Sequence, residues 1–157
     1  MSDAPIVHDT FVLDRLYPKP VETVFAALAD PAKKRRWYAE EGTHEVVAFE
    51  MDFRPGGVER THYRMGANTP FPGTPLETEG RHEVIVDNRR IVISSTMKLG
   101  GRPISTALVS FELEEAGDGT RLAFTHQAAF YEGADGPEMR RGGWEALLGQ
   151  LGSFLAA

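Results

Sequence analysis

The sequence predicts one α+β domain spanning residues 1–157: a seven-stranded, curved antiparallel sheet wrapped around a long C-terminal helix, with two short helices between strands 1 and 2. Three observations carry this reading. From Thr43 to Phe130 the chain is a series of strand-like segments joined by short Gly, Pro, Asn and Asp turns. Before them, between Leu16 and Thr43, apolar residues recur at helical rather than strand spacing. After them comes one apolar stripe long enough to cover a sheet, and the apolar face of a sheet must be covered.

Strand 1 is read at Thr10–Leu16, where Phe11 and Leu13 alternate with Val12 and Asp14. Pro18 and Pro20 end it, and Pro20 suits the first turn of a helix, where a missing N–H costs nothing. Val21, Val24, Phe25 and Leu28 then form a helical stripe. Asp30-Pro31 reads as an N-cap and first residue of a second helix, short and basic, through Trp37. Six strands follow at His44–Met51, Val58–Met65, Leu76–Val86, Ile91–Leu99, Ile104–Glu114 and Arg121–Phe130. The turns at Pro55–Gly57, Asp87-Asn88, Gly100-Gly101 and Gly117–Gly119 are short, so consecutive strands are antiparallel neighbours. The last helix starts near Asp135-Gly136-Pro137 and carries Trp144, Leu147, Leu148, Leu151 and Leu155 on one face. Gly142, Gly143, Gly149 and Gly152 interrupt it, each costing roughly 1 kcal/mol against alanine. They are either tolerated or mark close backbone approach; Gly142 and Gly149 share the face away from Trp144, where a second subunit could sit.

The composition narrows the function classes. No cysteine is present, which excludes disulfides, thiolate metal sites and a cysteine nucleophile and is compatible with a reducing compartment. A net charge of −6 argues against nucleic acid or anionic membrane as the main partner. The longest apolar run, Val24–Ala29, is far short of the roughly 20 residues a membrane span needs. Residues 1–9 have neither a basic start nor an apolar core, so no secretory signal is expected and the cytoplasm is the expected compartment. His44-Glu45 and His82-Glu83 look like the start of a zinc-protease helix, but Ala48 and Val86 stand where the second histidine belongs, and both segments read as strands. There is no Gly-x-Ser-x-Gly elbow, no phosphate-cradling glycine loop and no metal-ligand spacing among the five histidines, so neither metal nor cofactor is expected. Lys33–Arg36 is the only basic cluster and reads as a solvated helix face.

Specific words now stand in order along the chain: Pro20–Pro31 (PVETVFAALADP) with Trp37, Phe53–Gly57 (FRPGG), Asn88–Val92 (NRRIV), Gly119–Leu122 (GTRL), Gly136–Glu138 (GPE) and Gly143–Leu148 (GWEALL). Together they resemble bacterial proteins similar to the C-terminal domain of the activator of the heat-shock-protein-90 ATPase, from about Thr10 to the end. The resemblance implies the helix-grip fold shared with START domains, the birch-pollen allergen and aromatic polyketide cyclases, and its theme of a cavity holding an apolar ligand between sheet and long helix. It also implies a possible homodimer. It fixes function poorly, because one fold hosts many functions.

On the last strand Leu122, Phe124, His126 and Phe130 share a side, so His126 should point inward. There it can hold a ligand's polar group or shuttle a proton, or simply be a core histidine bonded to a carbonyl or water. Trp144 walls a cavity or fills the core. Trp37, Tyr38, Phe49, Met51, Tyr63, His82, Met97, Phe124 and Leu148 complete the expected ligand-binding set, each with plain core as its alternative. In the loop Gly66–Pro75, Phe71 stands between two prolines and is expected to close the pocket mouth as a flap, or to sit on a stiff surface loop.

Three functions compete. The first is binding of a small hydrophobic ligand. The second is a cyclase-like enzyme with His126 as acid or base, assisted by Tyr63 or His82; the expectation leans away from catalysis. The third is a co-chaperone-like protein-interaction module, which the family name suggests. The eukaryotic activator uses an additional N-terminal domain, whereas only about ten residues precede the first strand here, which weakens that expectation.

Overall fold

The alternation read from the sequence folds as one sheet in the order β1-β7-β6-β5-β4-β3-β2, antiparallel at every pairing. The strands are β1 (Val7–Tyr17), β2 (Glu45–Met51), β3 (Val58–Arg64), β4 (Pro75–Val86), β5 (Arg90–Leu99), β6 (Arg102–Ala116) and β7 (Gly119–Phe130). This computed structural model describes residues 5–157. The N-terminal stretch expected to carry no secretory signal lies partly outside the described residues.

β2 to β7 are successive hairpins, as their short turns require. β1 closes the sheet on β7, in register from Val7↔Phe130 to Tyr17↔Thr120. That full-length pairing is why β1 extends beyond the Thr10–Leu16 segment read from alternation alone. Along β7 the parity holds: Leu122, Phe124, His126, Ala128 and Phe130 are all buried. β4 lies close against β5 at Gly80, which pairs with Ser95. A Cβ there would run into the Ser94 carbonyl and lie 2.9 Å from the Ser95 Cβ, so only glycine allows the strands to approach.

α1 (Val21–Ala29) buries Val21, Val24, Phe25 and Leu28 against the core. Asp30 caps α2 (Pro31–Lys34), its carboxylate accepting from the Ala32 and Lys33 amides at 2.9 and 3.3 Å. The basic segment then departs from expectation. Instead of one solvated helix through Trp37, α2 ends at Lys34 and the chain widens into a π-helical turn, Arg35–Glu40. Lys34 is only 2 % exposed. The reason lies in its spacing: Lys34, Trp37 and Tyr38 are three and four residues apart and share the inward face.

α3 (Pro137–Ala156) packs on β1, α1 and the π turn. Leu148, Leu151 and Leu155 are buried, contributing roughly 1.5–3 kcal/mol each by area alone. Tyr17 on β1 donates its hydroxyl to the Leu148 carbonyl at 2.8 Å. Gly152 is where the helix meets that ring, since a Cβ would stand 3.3 Å from Tyr17 Cε1, whereas Gly142 and Gly149 face open space. The solid core thus lies between the C-terminal half of α3, α1, β1, β6 and β7. No helix among the described residues is long and apolar enough to cross a membrane.

Candidate functional site

The other half of the concave face is not filled. A pocket of about 720 Å³ lies between the first half of α3 and the inner faces of β3 to β6. Its floor is built by strand parity: Thr61 and Tyr63 from β3, Leu76, Thr78 and Gly80 from β4, Ile93, Ser95, Met97 and Leu99 from β5, and Ser105, Ala107, Val109 and Phe111 from β6. Its roof is Arg140, Gly143, Trp144 and Leu147 of α3, and Tyr38 and Ala39 of the π turn close one end. Phe71 and Met139, 53 % and 68 % exposed, bound it where it meets solvent.

Trp144 is the central apolar plate. Its ring lies 4.3 Å from that of Phe124, 6.0 Å from Tyr38 and 6.1 Å from Phe111. His126 also bounds the pocket, stacked on Phe11 at 4.8 Å with an interplanar angle of 13°. It is 1 % exposed and its Nδ1 has no hydrogen-bond partner. Burial, then the positive charge of Arg140, push its pKa down to about 4. His126 is therefore neutral at ordinary pH. Burial also raises the Tyr38 and Tyr63 phenols, which stay protonated.

Two ion pairs are set into the pocket walls. On the floor side, Lys34 Nζ donates to both Glu59 oxygens at 2.9 and 3.0 Å, and the ammonium sits 5.0 Å from the Tyr38 ring. Behind Glu59 stands His82, whose Nε2 lies 3.4 Å from Glu59 Oε1 and whose Nδ1 is 3.2 Å from the Gly57 carbonyl. Burial alone would raise the Glu59 carboxyl, but the Lys34 charge and the His82 contact outweigh it and hold the pKa below the ordinary value. At the other end Arg140 grips Asp135 with Nε at 2.8 Å and Nη2 at 2.7 Å, and Nη2 also donates to Ser105 Oγ at 2.9 Å. The guanidinium lies over the Phe130 ring at 5.1 Å.

Of the residues expected at the site, Tyr38, Tyr63, Met97, His126, Trp144 and the loop residue Phe71 bound the pocket. The others stand elsewhere. Trp37 is fully buried, its indole N–H donating to the Ala27 carbonyl at 2.7 Å, because the π turn points it at α1 rather than at the sheet. Phe124 and Leu148 lie in the core behind the wall. His82 is one layer back, its Nε2 3.4 Å from Glu59 and its ring set edge-on to Phe53 at 5.1 Å. Phe49 backs Tyr38 at 6.3 Å, and Met51 lines a separate shallow groove by the Asp52–Val58 turn. The structure adds Lys34, Glu59, Ser105 and Arg140, none of them singled out from the sequence as pocket residues. Their signals were present: Glu59 has the parity of Tyr63 on β3, and Arg140 lies four residues before Trp144 on one helical face.

Residues 18–156 match the family model described as activator of Hsp90 ATPase homolog 1-like protein. The chain belongs to this family. Its similarity to solved structures runs nearly end to end. The Mll3558 protein from Rhizobium loti is 36% identical, with 96% of this chain and 99% of that one covered and a TM-score of 0.86. A protein from Rhizobium leguminosarum is 33% identical, with 97% of each chain covered and a TM-score of 0.89. CalU16 from Micromonospora echinospora is 27% identical, covering 93% of this chain and 75% of that one, with a TM-score of 0.63. No curated protein matches the sequence. Membership in the family accounts for the sheet and its helix and is compatible with small-molecule binding.

Proposed function

We propose that this family member binds a small hydrophobic molecule in the pocket between β3–β6 and the first half of α3. The observation that carries the proposal is a volume of about 720 Å³ with apolar walls and a few placed polar groups. Small-molecule sites of roughly 300–1,000 Å³ have this character. Phe71, exposed at the edge, acts in this reading as a flap, so Phe71→Ala should speed ligand release. Thermal shift against fatty acids, sterols, flavonoids and polyketides is the test. One class at 100-fold its dissociation constant should add about 2.7 kcal/mol of stability. No shift from any class sinks the reading.

Two further readings have their own tests. The family description favours a co-chaperone role, which a pull-down with the chaperone and an ATPase assay address. A cyclase-like role would rest on neutral His126 as a proton acceptor, but its ring neighbours are Phe11, Phe124 and Phe130 rather than Tyr63 or His82. Turnover that survives His126→Gln would remove that role. A homodimer through the open Gly142–Gly149 face belongs to the same set of proposals and is read by sedimentation.

A further inference from the structure

Arg140 is an unusual wall for an apolar pocket, and its hydrogen bonds are distributed unevenly. Nε and Nη2 are taken up by Asp135, Ser105 and the Met97 sulfur. Nη1 makes no hydrogen bond among the described residues, and Arg140, only 6 % exposed overall, bounds the pocket. So does Ser105, which accepts from the guanidinium and retains its own O–H to donate. One end of the pocket is therefore bounded by two residues that keep N–H and O–H donors unmet by any acceptor among the described residues.

The charge of that end is already cancelled. Asp135 holds the guanidinium in a two-point pair, and at the opposite wall Glu59 does the same to Lys34. His126, close enough for its pKa to feel the Arg140 charge, carries no charge at neutral pH to attract an anion. A carboxylate placed on Nη1 would gain from Arg140 but meet the Asp135 carboxylate behind it and lose its own hydration. A ketone or ester oxygen accepts the same N–H groups with far less to desolvate.

We infer that Arg140, braced by Asp135 and Ser105, is the anchor for the polar end of the ligand, and that this end is an uncharged carbonyl oxygen on an otherwise apolar molecule rather than a carboxylate. The inference rests on the proposed pocket reading and narrows it to a ligand class. The test is displacement of the neutral fluorophore N-phenyl-1-naphthylamine from the full chain at pH 7.5 by decane, methyl decanoate and decanoate, which share one chain length. Methyl decanoate should bind about tenfold tighter than decane, the scale of one hydrogen bond to a charged group, and tighter than decanoate. Arg140→Lys keeps a cation for Asp135 but removes the free edge of the fork, so it should bring the affinities for the ester and for decane together. Decanoate binding as tightly as the ester to the unaltered chain overturns the inference without reference to the variant, so a poorly folded variant does not shelter it. An ester advantage that survives Arg140→Lys in a folded variant also overturns it. If the fluorophore and decane themselves fail to bind, the pocket reading fails first, and the anchor with it.

Discussion

A lysine and a glutamate at 2 % and 8 % exposure are tolerable only because each is the other's partner. Removing one leaves the other charged and dry. Lys34→Met is therefore expected to lose about 3 kcal/mol or more in urea unfolding, and Lys34→Met/Glu59→Leu to recover most of it, since apolar replacement of a whole buried pair is often neutral. A single variant that loses less than about 1 kcal/mol, the range of an exposed pair, would mean water reaches Glu59. His126 gives a second prediction, with a defined pH window. Its folded pKa of about 4 lies below the ordinary histidine value of 6.5, so the unfolded chain takes up the proton first. The contribution is complete above about pH 6.5 and is lost as pH falls towards 4, on the order of 2 kcal/mol after allowing for solvent screening. Comparing urea midpoints of wild type and His126→Gln from pH 7.5 to 4.5 isolates it, because the variant does not titrate. Glu59, whose pKa is lowered from 4.5, adds its own loss only below that value, outside most of this window. Parallel pH slopes in the two proteins would show His126 titrating freely.

Among the elements, α3 carries the most information, and its glycines separate two physical situations. Gly149 faces open space in a helix interior, so Gly149→Ala should stabilise by about 1 kcal/mol, or roughly 2–4 °C in melting temperature. Gly152→Ala gains the same propensity but sets a Cβ 3.3 Å from the Tyr17 ring, whose hydroxyl is tied to the Leu148 carbonyl, so its melting temperature should stay level or fall. If both rise equally, the Tyr17 contact is looser than described. The same helix shows what a sequence makes legible. A period of 3.6 sustained from Trp144 to Leu155, and a period of 2 along β7, are local signals, and the fold follows from them. The Arg35–Glu40 turn has no such signal: six residues of π-helix exist because Trp37 and Lys34 are both satisfied inside, which is a tertiary fact. The site fared accordingly. Apolar candidates were overcounted because core and wall share one parity, as Phe124 and His126 do. Lys34, Glu59 and Arg140 were passed over because a charge inside is not expected until its partner is known.

At the scale of the whole molecule, one concave face is divided in two. Where β1, β6 and β7 meet α1 and the far half of α3, side chains close the space; where β3 to β6 meet the near half of α3, they leave it open. The two tryptophans fall on opposite sides of that division. Trp37 is pinned in the closed half by its bond to the Ala27 carbonyl. Trp144 stands in the pocket wall, its ring tilted by 32° against Phe124 at 4.3 Å. A ligand in the pocket touches the second and not the first, so each indole reports on one half. With N-phenyl-1-naphthylamine as acceptor, Trp37→Phe should retain energy transfer on binding, and its remaining emission should shift as the wall loses water. In Trp144→Phe the emission maximum should stay fixed, because Trp37 is already dry, and transfer should weaken with the greater separation. Trp144→Phe also shortens the wall by one ring and should lower probe affinity, whereas Trp37→Phe should lower stability, leaving a buried carbonyl unpaired at about 1–3 kcal/mol. An emission shift that survives Trp144→Phe would place the ligand outside the cleft under α3 and return the open half of the sheet to an unexplained void.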